Sequence, residues 1–365
     1  MNNSSHSHAQ SWVIGKCDVD STESKIDVIL YITIATLALL ENATIFIGYL
    51  RYRALRTITN TFLVSLTTSD IMVALFSIPF SFGVFVCALR PPQDKGNIGD
   101  LIYLICDMFP SILSIYSLSI VAIDRMVAIA TPYSYATYMT SRRAWMLVVL
   151  TWMLVFMLVS LILVLERRPF TLVIVVMSYV VPVTLMVLSY TVIGYIAKRH
   201  ARAIVQWEKT GARLQKESRA FSDSNTPKES TPLAGTGCEH KASNALASSN
   251  SDGYHSKKRS RVHLWREIKS AMRLLLLVTI FITAWTPFMG LNVKLYMCPN
   301  CDIDIRLVKY FKLLHYGNSA LNPVLFVLLN RRWRSAFARI WRVWIRKTRR
   351  DSVTSQTNLS NLRDW

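Results

Sequence analysis

Asp107 and Arg125 are charged residues inside one long apolar segment, which runs from Leu101 to Ala130. Because 18 positions separate them, about five turns at 3.6 residues per turn, a helix would place both on one face about 27 Å apart. A charge in such a segment is costly unless it has a partner. The spacing therefore predicts that Asp107 points into a cavity near one end of the segment and Arg125 into a cavity near the other.

Arg125 has an acidic neighbour, Asp124, which could hold the guanidinium group while no other protein is bound. A second carboxylate, Glu267, begins a later apolar segment at the same end and could also reach Arg125, forming an ion pair between two helices. The alternative interpretation is that Glu267 is a solvated charge at a helix end.

A second polar cluster is predicted halfway along the apolar segments. At a rise of about 1.5 Å per residue, Asn42, Asp70, Ser114 and Asn318 each lie about 20 to 24 Å from an end of their helices. A carboxylate, amides and a hydroxyl at one depth could hold a small cation such as sodium. The alternative is a satisfied polar network that only joins the helices.

The composition agrees with a chain that is solvated by lipid, since 52% of the 365 residues are hydrophobic and 18% are charged. A bilayer forces the backbone of each spanning segment into a helix. We therefore predict an all-α membrane protein, a seven-helix bundle over residues 26–329. Its spans run approximately from Ile26 to Leu50, Thr61 to Leu89, Leu101 to Ala130, Ala144 to Leu165, Phe170 to Ala197, Ile268 to Leu295 and Ile305 to Leu329.

The net charge of +20 comes from basic residues that follow the first, third, fifth and seventh spans. The positive-inside rule places those segments in the cytoplasm and residues 1–25 outside the cell. This distribution argues for a lipid bilayer as partner and against nucleic acid. Asn2 and Asn3 each begin an N-x-S/T sequence, so the external tail could be glycosylated.

Two long regions on the predicted cytoplasmic side lie outside the spans, one between the fifth and sixth spans and one after the seventh. The loop of residues 198–267 has a polar middle, Ser218 to Ser256, that we expect to be disordered, between basic helical extensions at Lys198–Lys216 and Arg259–Lys269. Residues 330–346 alternate Trp, Phe and Ile with Arg at helical spacing, which predicts an amphipathic eighth helix on the inner leaflet. Residues 347–365 form the remaining tail.

Two proline sequences predict kinks. Trp285 and Pro287 lie in the sixth span, within Phe281-Ile-Thr-Ala-Trp-Thr-Pro-Phe288, and Asn322-Pro323 lies in the seventh. Proline removes one backbone hydrogen bond, so each helix could bend there.

These residues, in this order and spacing, resemble the helix signatures of rhodopsin-like G-protein-coupled receptors over residues 26–345. The matching residues are Asn42, Ser69-Asp70, Asp124-Arg125-Met126, Trp152, Pro182 with Tyr190, Phe281 to Pro287, and Asn318-Ser-Ala-Leu-Asn322-Pro-Val-Leu-Phe326. The resemblance implies a receptor that catalyses nucleotide exchange on a heterotrimeric G protein, with arrestin and receptor kinases as further partners. It also implies a plasma-membrane location and no enzyme chemistry.

The resemblance assigns roles to three groups of residues. It implies a sodium pocket of Asp70, Ser114, Asn318, Ser319 and Asn322, with sodium as an allosteric ion and no other cofactor. The coupling and switch residues are Asp124, Arg125, Glu267, Tyr190, Phe281, Pro287, Pro323 and Phe326. The ligand-binding residues are Asp107, Tyr316, Ser178, Trp285, Phe288 and Met289.

Some residues depart from the family pattern. Met126 and Phe326 replace two tyrosines, and the usual cysteine at the start of the third span is Asp100, so the disulfide to the second external loop is absent. The short loop Glu166 to Pro169 and Cys298-Pro-Asn-Cys301 resemble the melanocortin and cannabinoid receptors. Asp107 with Tyr316 instead resembles the biogenic-amine receptors, so the ligand class stays open between amines, peptides, nucleosides and lipids.

Asp107 leads us to expect a cationic group on the ligand, with an amine as the first choice and Tyr316 donating a hydrogen bond to the carboxylate. The alternative is that Asp107 pairs only with a neighbour such as His315 or Tyr316 and binds no ligand. Cys298 and Cys301 are predicted to form a local disulfide, since the cell exterior is oxidising. Cys17 and Cys87 could form a second one.

Two other classes of function fit the residues less well. A retinal-based light sensor needs a lysine in the seventh span, where Tyr316 matches that position and Lys309 and Lys312 lie one to two turns nearer the outside. A transporter would show internal repeats or broken helices, and neither pattern is evident. No catalytic or metal-ligand motif is evident in the sequence.

Overall fold

A computed structural model of the chain describes residues 21–87, 98–165, 167–224, 268, 271–272, 274–298, 301, 304–329, 333–335, 338 and 342. Seven long helices carry the fold, and we label them in chain order. They are α1 (Thr22–Arg51), α2 (Ile58–Phe85), α3 (Leu101–Ala130), α4 (Ser141–Ser160), α5 (Pro169–Ala203, which continues to Ser224), α6 (Leu274–Met297) and α7 (Ile305–Leu329). A short helix, Pro132–Tyr138, follows α3.

Local sequence signals explain where several helices begin. The hydroxyl groups of Ser21, Thr57 and Thr140 accept a backbone N–H from the first turn of α1, α2 and α4 respectively. A side-chain oxygen at this position satisfies a backbone donor that has no partner within the helix.

Helices α1 to α6 are each long and apolar enough to cross a membrane. Helix α7 has 25 residues, long enough to cross as well, but carries Arg306, Lys309 and Lys312 in its first half. Large apolar side chains cover the outside of the bundle, as in α4, where Met153 is 64% exposed and Leu150 61%. Such a surface suits hydrocarbon and not water, which agrees with the predicted seven-helix membrane protein.

Helix α3 lies at the centre of the bundle. Its residues Leu113, Ile115, Leu118 and Val121 are fully buried and belong to one continuous apolar cluster with residues of α2, α4, α5 and α6. The two charged residues predicted on this helix are therefore held by an element that packs against four other helices.

Three of the spanning helices contain a π-helical segment, and each segment ends two residues before a proline. The segments are Val73–Ser77 in α2, Leu104–Met108 in α3 and Val176–Val180 in α5, followed by Pro79, Pro110 and Pro182. Proline leaves the carbonyl four residues earlier without its N–H donor. In α3 that carbonyl belongs to Cys106, and it accepts the Ser77 hydroxyl at 2.8 Å. The widened turns of α3 and α5 place Asp107 and Ser178 at a cavity inside the bundle.

Pro323 has a similar effect inside α7. It leaves the carbonyl of Ser319 without an intrahelical donor, and the side-chain amide of Asn42 on α1 donates to that oxygen at 2.8 Å. The same Asn42 nitrogen also donates to Ala38 O. Asn42 therefore joins α1 to α7 at the proline, although its depth in the sequence suggested the sodium cluster.

We expect Asn42→Ala to destabilise the receptor by about 1 to 3 kcal/mol, because a buried carbonyl at Ser319 loses its donor. The measurement is the thermal unfolding temperature of the full-length receptor in detergent, which should fall by a few degrees. Thr44→Val is the matched control, since Thr44 is less buried and donates to Leu40 within its own helix. Equal unfolding temperatures for both variants would contradict this role of Asn42.

Beyond the spans, the structure corrects one boundary. The helical extension of α5 continues to Ser224, beyond Lys216, so residues 218–224 do not belong to the predicted disordered segment. No Gly or Pro interrupts residues 212–224, and the first proline after them is Pro227. In the predicted eighth helix, residues 333–335, 338 and 342 are helical, and Trp333 is buried against Ile45, Tyr49 and Val64.

Candidate functional site

A cavity of about 230 Å³ opens near the Asp107 end of the bundle, between α3, α5, α6 and α7. Its walls are largely apolar, with polar groups at a few points. The lining residues that bear most on ligand binding are Asp107, Ser178, Trp285, Phe288, Lys312 and His315. A largely apolar cavity with a few converging polar groups is typical of small-molecule sites.

Asp107 has two partners on α7. The Tyr316 hydroxyl donates to one carboxylate oxygen at 2.6 Å, as the sequence predicted. The Lys312 ammonium lies 2.5 Å from the other oxygen and forms an ion pair with it. All three residues are buried, and Asp107 is only 4% exposed. The sequence suggested Tyr316 or His315 as neighbours of Asp107, and the structure adds Lys312 as a cation from the chain itself.

Sequence reasoning missed Lys312 as a site residue. It lies one turn before Tyr316 on α7, and positions four residues apart on a helix share a face. That spacing could have shown that both side chains reach the same partner. His315, the other neighbour considered for Asp107, packs instead against the Trp285 ring, with ring centroids 4.0 Å apart.

Trp285 forms the apolar floor of the cavity. It is 1% exposed and stacks on Phe281, with ring centroids 5.5 Å apart. Its Nε1 has no hydrogen-bond partner among the described residues. Phe288 stacks on His315, and Met289 is buried beside it, so the three predicted α6 residues lie together. A ligand in the cavity would therefore contact the aromatic column that continues down α6.

Ser178 lies in the π segment of α5 and lines the opposite wall of the cavity. Its hydroxyl donates to Ile174 O at 2.5 Å, which leaves the oxygen able to accept a further hydrogen bond. Ser178 therefore lies where the sequence predicted it, at the cavity and across from Asp107.

The Asp70 cluster is assembled in the middle of the bundle. Ser114 and Ser319 both donate to Asp70 Oδ1 at 2.9 Å, and Asn322 donates to Oδ2 at 2.7 Å. Asp70 is fully buried. Asn318, which directly precedes Ser319 on α7, is also buried, and its Nδ2 lacks a partner in the described part of the chain. A carboxylate and two rotatable hydroxyls offer the oxygen ligands that hard cations prefer, so these residues fit a sodium ion.

At the other end of α3, Asp124 is held by donors from three segments. Arg125 donates to it through Nε at 3.0 Å and Nη2 at 2.6 Å, Thr59 on α2 donates at 3.0 Å, and Tyr135 donates at 2.5 Å. Burial, and then the charge of Asp124, raise the pKa of the Tyr135 hydroxyl well above its usual value, so it stays a donor. Thr59 and Tyr135 were not predicted from the sequence.

The remaining predicted residues divide into two groups. Tyr190 is buried on α5, and Pro287 and Pro323 lie within α6 and α7. Asn2, Asn3, Cys17, Asp100, Glu267 and Phe326 lie, in whole or in their side chains, outside the described residues. The predicted contact of Glu267 with Arg125 and the pairing of Cys17 with Cys87 therefore stay predictions.

The segment between α6 and α7 contains a disulfide that joins Cys298 and Cys301. Nearby, Lys309 of α7 forms an ion pair with the buried Asp27 of α1 at 2.5 Å. Glu23 lies 3.7 Å from the same ammonium group. The two lysines of α7 thus pair with different buried carboxylates, Lys309 with Asp27 and Lys312 with Asp107.

The fold and the site define an integral membrane receptor with a small-molecule cavity at one end and a buried Asp-Arg pair at the other. The chain belongs to the 7 transmembrane receptor (rhodopsin family), whose model matches residues 41–168 and 165–326. It is therefore a G-protein-coupled receptor and a multi-pass membrane protein, of a family whose members are receptors and not enzymes.

Its relatives in this family include several receptors for amines. The chain is 28% identical to an octopamine receptor beta-2R of Chilo suppressalis, over 86% of this chain and 78% of that receptor. It is 27% identical to a 5-hydroxytryptamine receptor 4 of Cavia porcellus, over 88% and 80% respectively. A D(4) dopamine receptor of Mustela putorius furo is 26% identical, over 83% and 87%.

Proposed function

We propose that this receptor binds a small ligand with a protonated amine in the cavity at Asp107 and activates a heterotrimeric G protein through Arg125. The observation that carries the proposal is the buried Asp107 carboxylate, which faces the cavity and is oriented by Tyr316. A charge-assisted hydrogen bond between an amine and such a carboxylate contributes about 1.5 to 3 kcal/mol. The amine receptors among the relatives support this choice of ligand.

The charge distribution supports an orientation for the receptor. We place the receptor in the plasma membrane with its N-terminus and the Asp107 cavity outside the cell, since the basic segments adjoin the Arg125 end. The G protein, and later arrestin and receptor kinases, would bind at the Arg125 end. Sodium would bind at Asp70 and neutralise its charge.

We expect Asp107→Asn to lower the potency of an amine agonist at least tenfold, because the amide cannot neutralise an ammonium group. The measurement is second-messenger output in cells exposed to panels of protonated amines, peptides, nucleosides and neutral lipids. Surface expression is measured in parallel.

The double variant Asp107→Asn with Lys312→Met is the control for folding, since it removes both charges of the buried ion pair. Its amine response should also be lost at normal surface expression. An agonist that has no amine, or an amine whose potency is unchanged in Asp107→Asn, would contradict the proposed ligand class.

A further inference from the structure

The cavity holds two opposite charges from the chain itself. Among the described residues that line it, Asp107 is the only acidic one and Lys312 the only lysine or arginine. Their ion pair of 2.5 Å joins α3 to α7 at the cavity wall. An amine that binds Asp107 must therefore share the carboxylate with Lys312 or displace it.

Sharing the carboxylate is unfavourable for a ligand whose only charge is positive. It would bring a second ammonium group next to that of Lys312 around a single carboxylate, and like charges at such distances repel strongly in a buried site. The complex would also carry an uncompensated positive charge in a largely apolar cavity.

Displacing Lys312 is no better for such a ligand. The Lys312 ammonium has aromatic neighbours, the rings of Tyr103 and Phe85, at 5.7 and 5.9 Å from their centroids. No second carboxylate lies within ion-pair distance of it in the described part of the structure. The buried carboxylate of Asp27 on α1 pairs with Lys309 instead. A displaced Lys312 would thus lose its counter-ion.

A ligand that carries both an ammonium group and a carboxylate avoids these costs. Its ammonium group can pair with Asp107 while its carboxylate pairs with Lys312, so two ion pairs replace one and the cavity stays neutral. The apolar wall formed by Trp285 and Phe288 leaves room for an aromatic or aliphatic body.

We propose that Lys312 makes this cavity selective for zwitterionic, amino-acid-like ligands over simple monoamines. This inference rests on the proposed function, because it assigns the ammonium group to Asp107. It adds a second requirement, a carboxylate on the ligand that pairs with Lys312.

The test uses matched pairs of probes on the full-length receptor in lipid nanodiscs. The pairs are tyrosine with tyramine, tryptophan with tryptamine, phenylalanine with phenethylamine, and leucine with isopentylamine. The concentration that gives half of the maximal thermal stabilisation is measured for each probe. In the wild type, we expect at least one amino acid to act at a concentration at least tenfold below that of its amine.

The Lys312→Met variant should reverse this order, because the methionine keeps the apolar volume but offers no cation to a carboxylate. The amine should then act at a concentration at least tenfold lower than in the wild type. Lys309→Met is the matched control, since Lys309 lies one turn away on the same helix, is equally buried and does not line the cavity. It should keep the wild-type order.

Three results would overturn the inference: no stabilisation of the wild type by any amino acid, equal or stronger action of the amines, or no change in Lys312→Met. Failure of the proposed function has a different signature. In that case neither amines nor amino acids act on the wild type or Lys312→Met, or their action survives Asp107→Asn. Amines that act on the wild type and lose their effect in Asp107→Asn would keep the proposed function and exclude the zwitterion.

Discussion

Asp124→Asn is expected to raise ligand-independent nucleotide exchange by about tenfold or more. The Asp124 carboxylate accepts four hydrogen bonds, two of them from the Arg125 guanidinium. Each hydrogen bond to a charged group contributes about 1.5 to 3 kcal/mol, and about 1.4 kcal/mol corresponds to a factor of ten. Loss of the charge therefore removes the two hydrogen bonds that hold Arg125 to Asp124, which favours contact of Arg125 with a G protein.

The measurement is the rate of GTP-analogue binding to purified heterotrimers of each major class, with membranes that contain equal amounts of receptor. Tyr135→Phe is the graded control, since it removes one donor but keeps the Asp124 charge and the two hydrogen bonds from Arg125 to Asp124. It should produce a smaller rise. A basal rate in Asp124→Asn equal to that of the wild type would show that this ion pair does not restrain the receptor.

Asp70→Asn is expected to abolish the effect of sodium on the receptor. Asp70 supplies the full negative charge of the cluster, and Ser114 and Ser319 supply neutral oxygens beside it. With the amide in place of the carboxylate, a cation has no compensating charge in this buried position. An ion present at 100 times its dissociation constant stabilises a protein by about 2.7 kcal/mol, so the loss is measurable.

Thermal unfolding of the full-length receptor is compared in sodium chloride and in choline chloride at equal ionic strength. The wild type should unfold at a higher temperature in sodium, and Asp70→Asn at the same temperature in both salts. Asp27→Asn is the control, because it removes another buried carboxylate that is paired with Lys309. A sodium effect that survives in Asp70→Asn but disappears in Asp27→Asn would place the ion at Asp27.

Sequence reasoning succeeded where a polar residue interrupts a long apolar segment. Lipid makes an unpartnered Asp70 or Asp107 costly, so their side chains had to point into the bundle towards partners. Depth along each helix then follows from the constant rise per residue. For this reason the contact of Asp70 with Ser114 was predictable from depth, whereas those of Asp70 with Ser319 and of Asp107 with Tyr316 relied on the resemblance to the receptor family.

Lys312 was not predictable by the same argument. A lysine in the first half of a spanning helix can extend its charge to the membrane surface, so its type and depth do not require a buried partner. Its pairing with Asp107 depends on the rotation of α7 against α3, which the position of Tyr316 four residues later indicates but no pattern around Lys312 itself encodes. The same reason explains why Thr59 and Tyr135 were missed as partners of Asp124, since both come from other segments.

The helical extension of α5 beyond Lys216 was missed for a different reason. Serine and asparagine enrichment suggested disorder from Ser218 onwards, but composition is averaged over a long segment. Arg219, Ala220 and Phe221 allow the helix to continue until Ser224.

The π segments bear on how this receptor could acquire a new ligand. A π turn contains one residue more than an α turn, so deleting one residue from Val176–Val180 would restore a regular helix. Because the π turn accommodates its extra residue locally, the helix on either side would keep its orientation, and only side chains within the segment would change the direction in which they point. A single-codon deletion in α5 would thus exchange the side chains that face the cavity while the rest of the bundle kept its packing. In such a protein, changes of length inside a membrane helix are a route to altered specificity, alongside point substitutions.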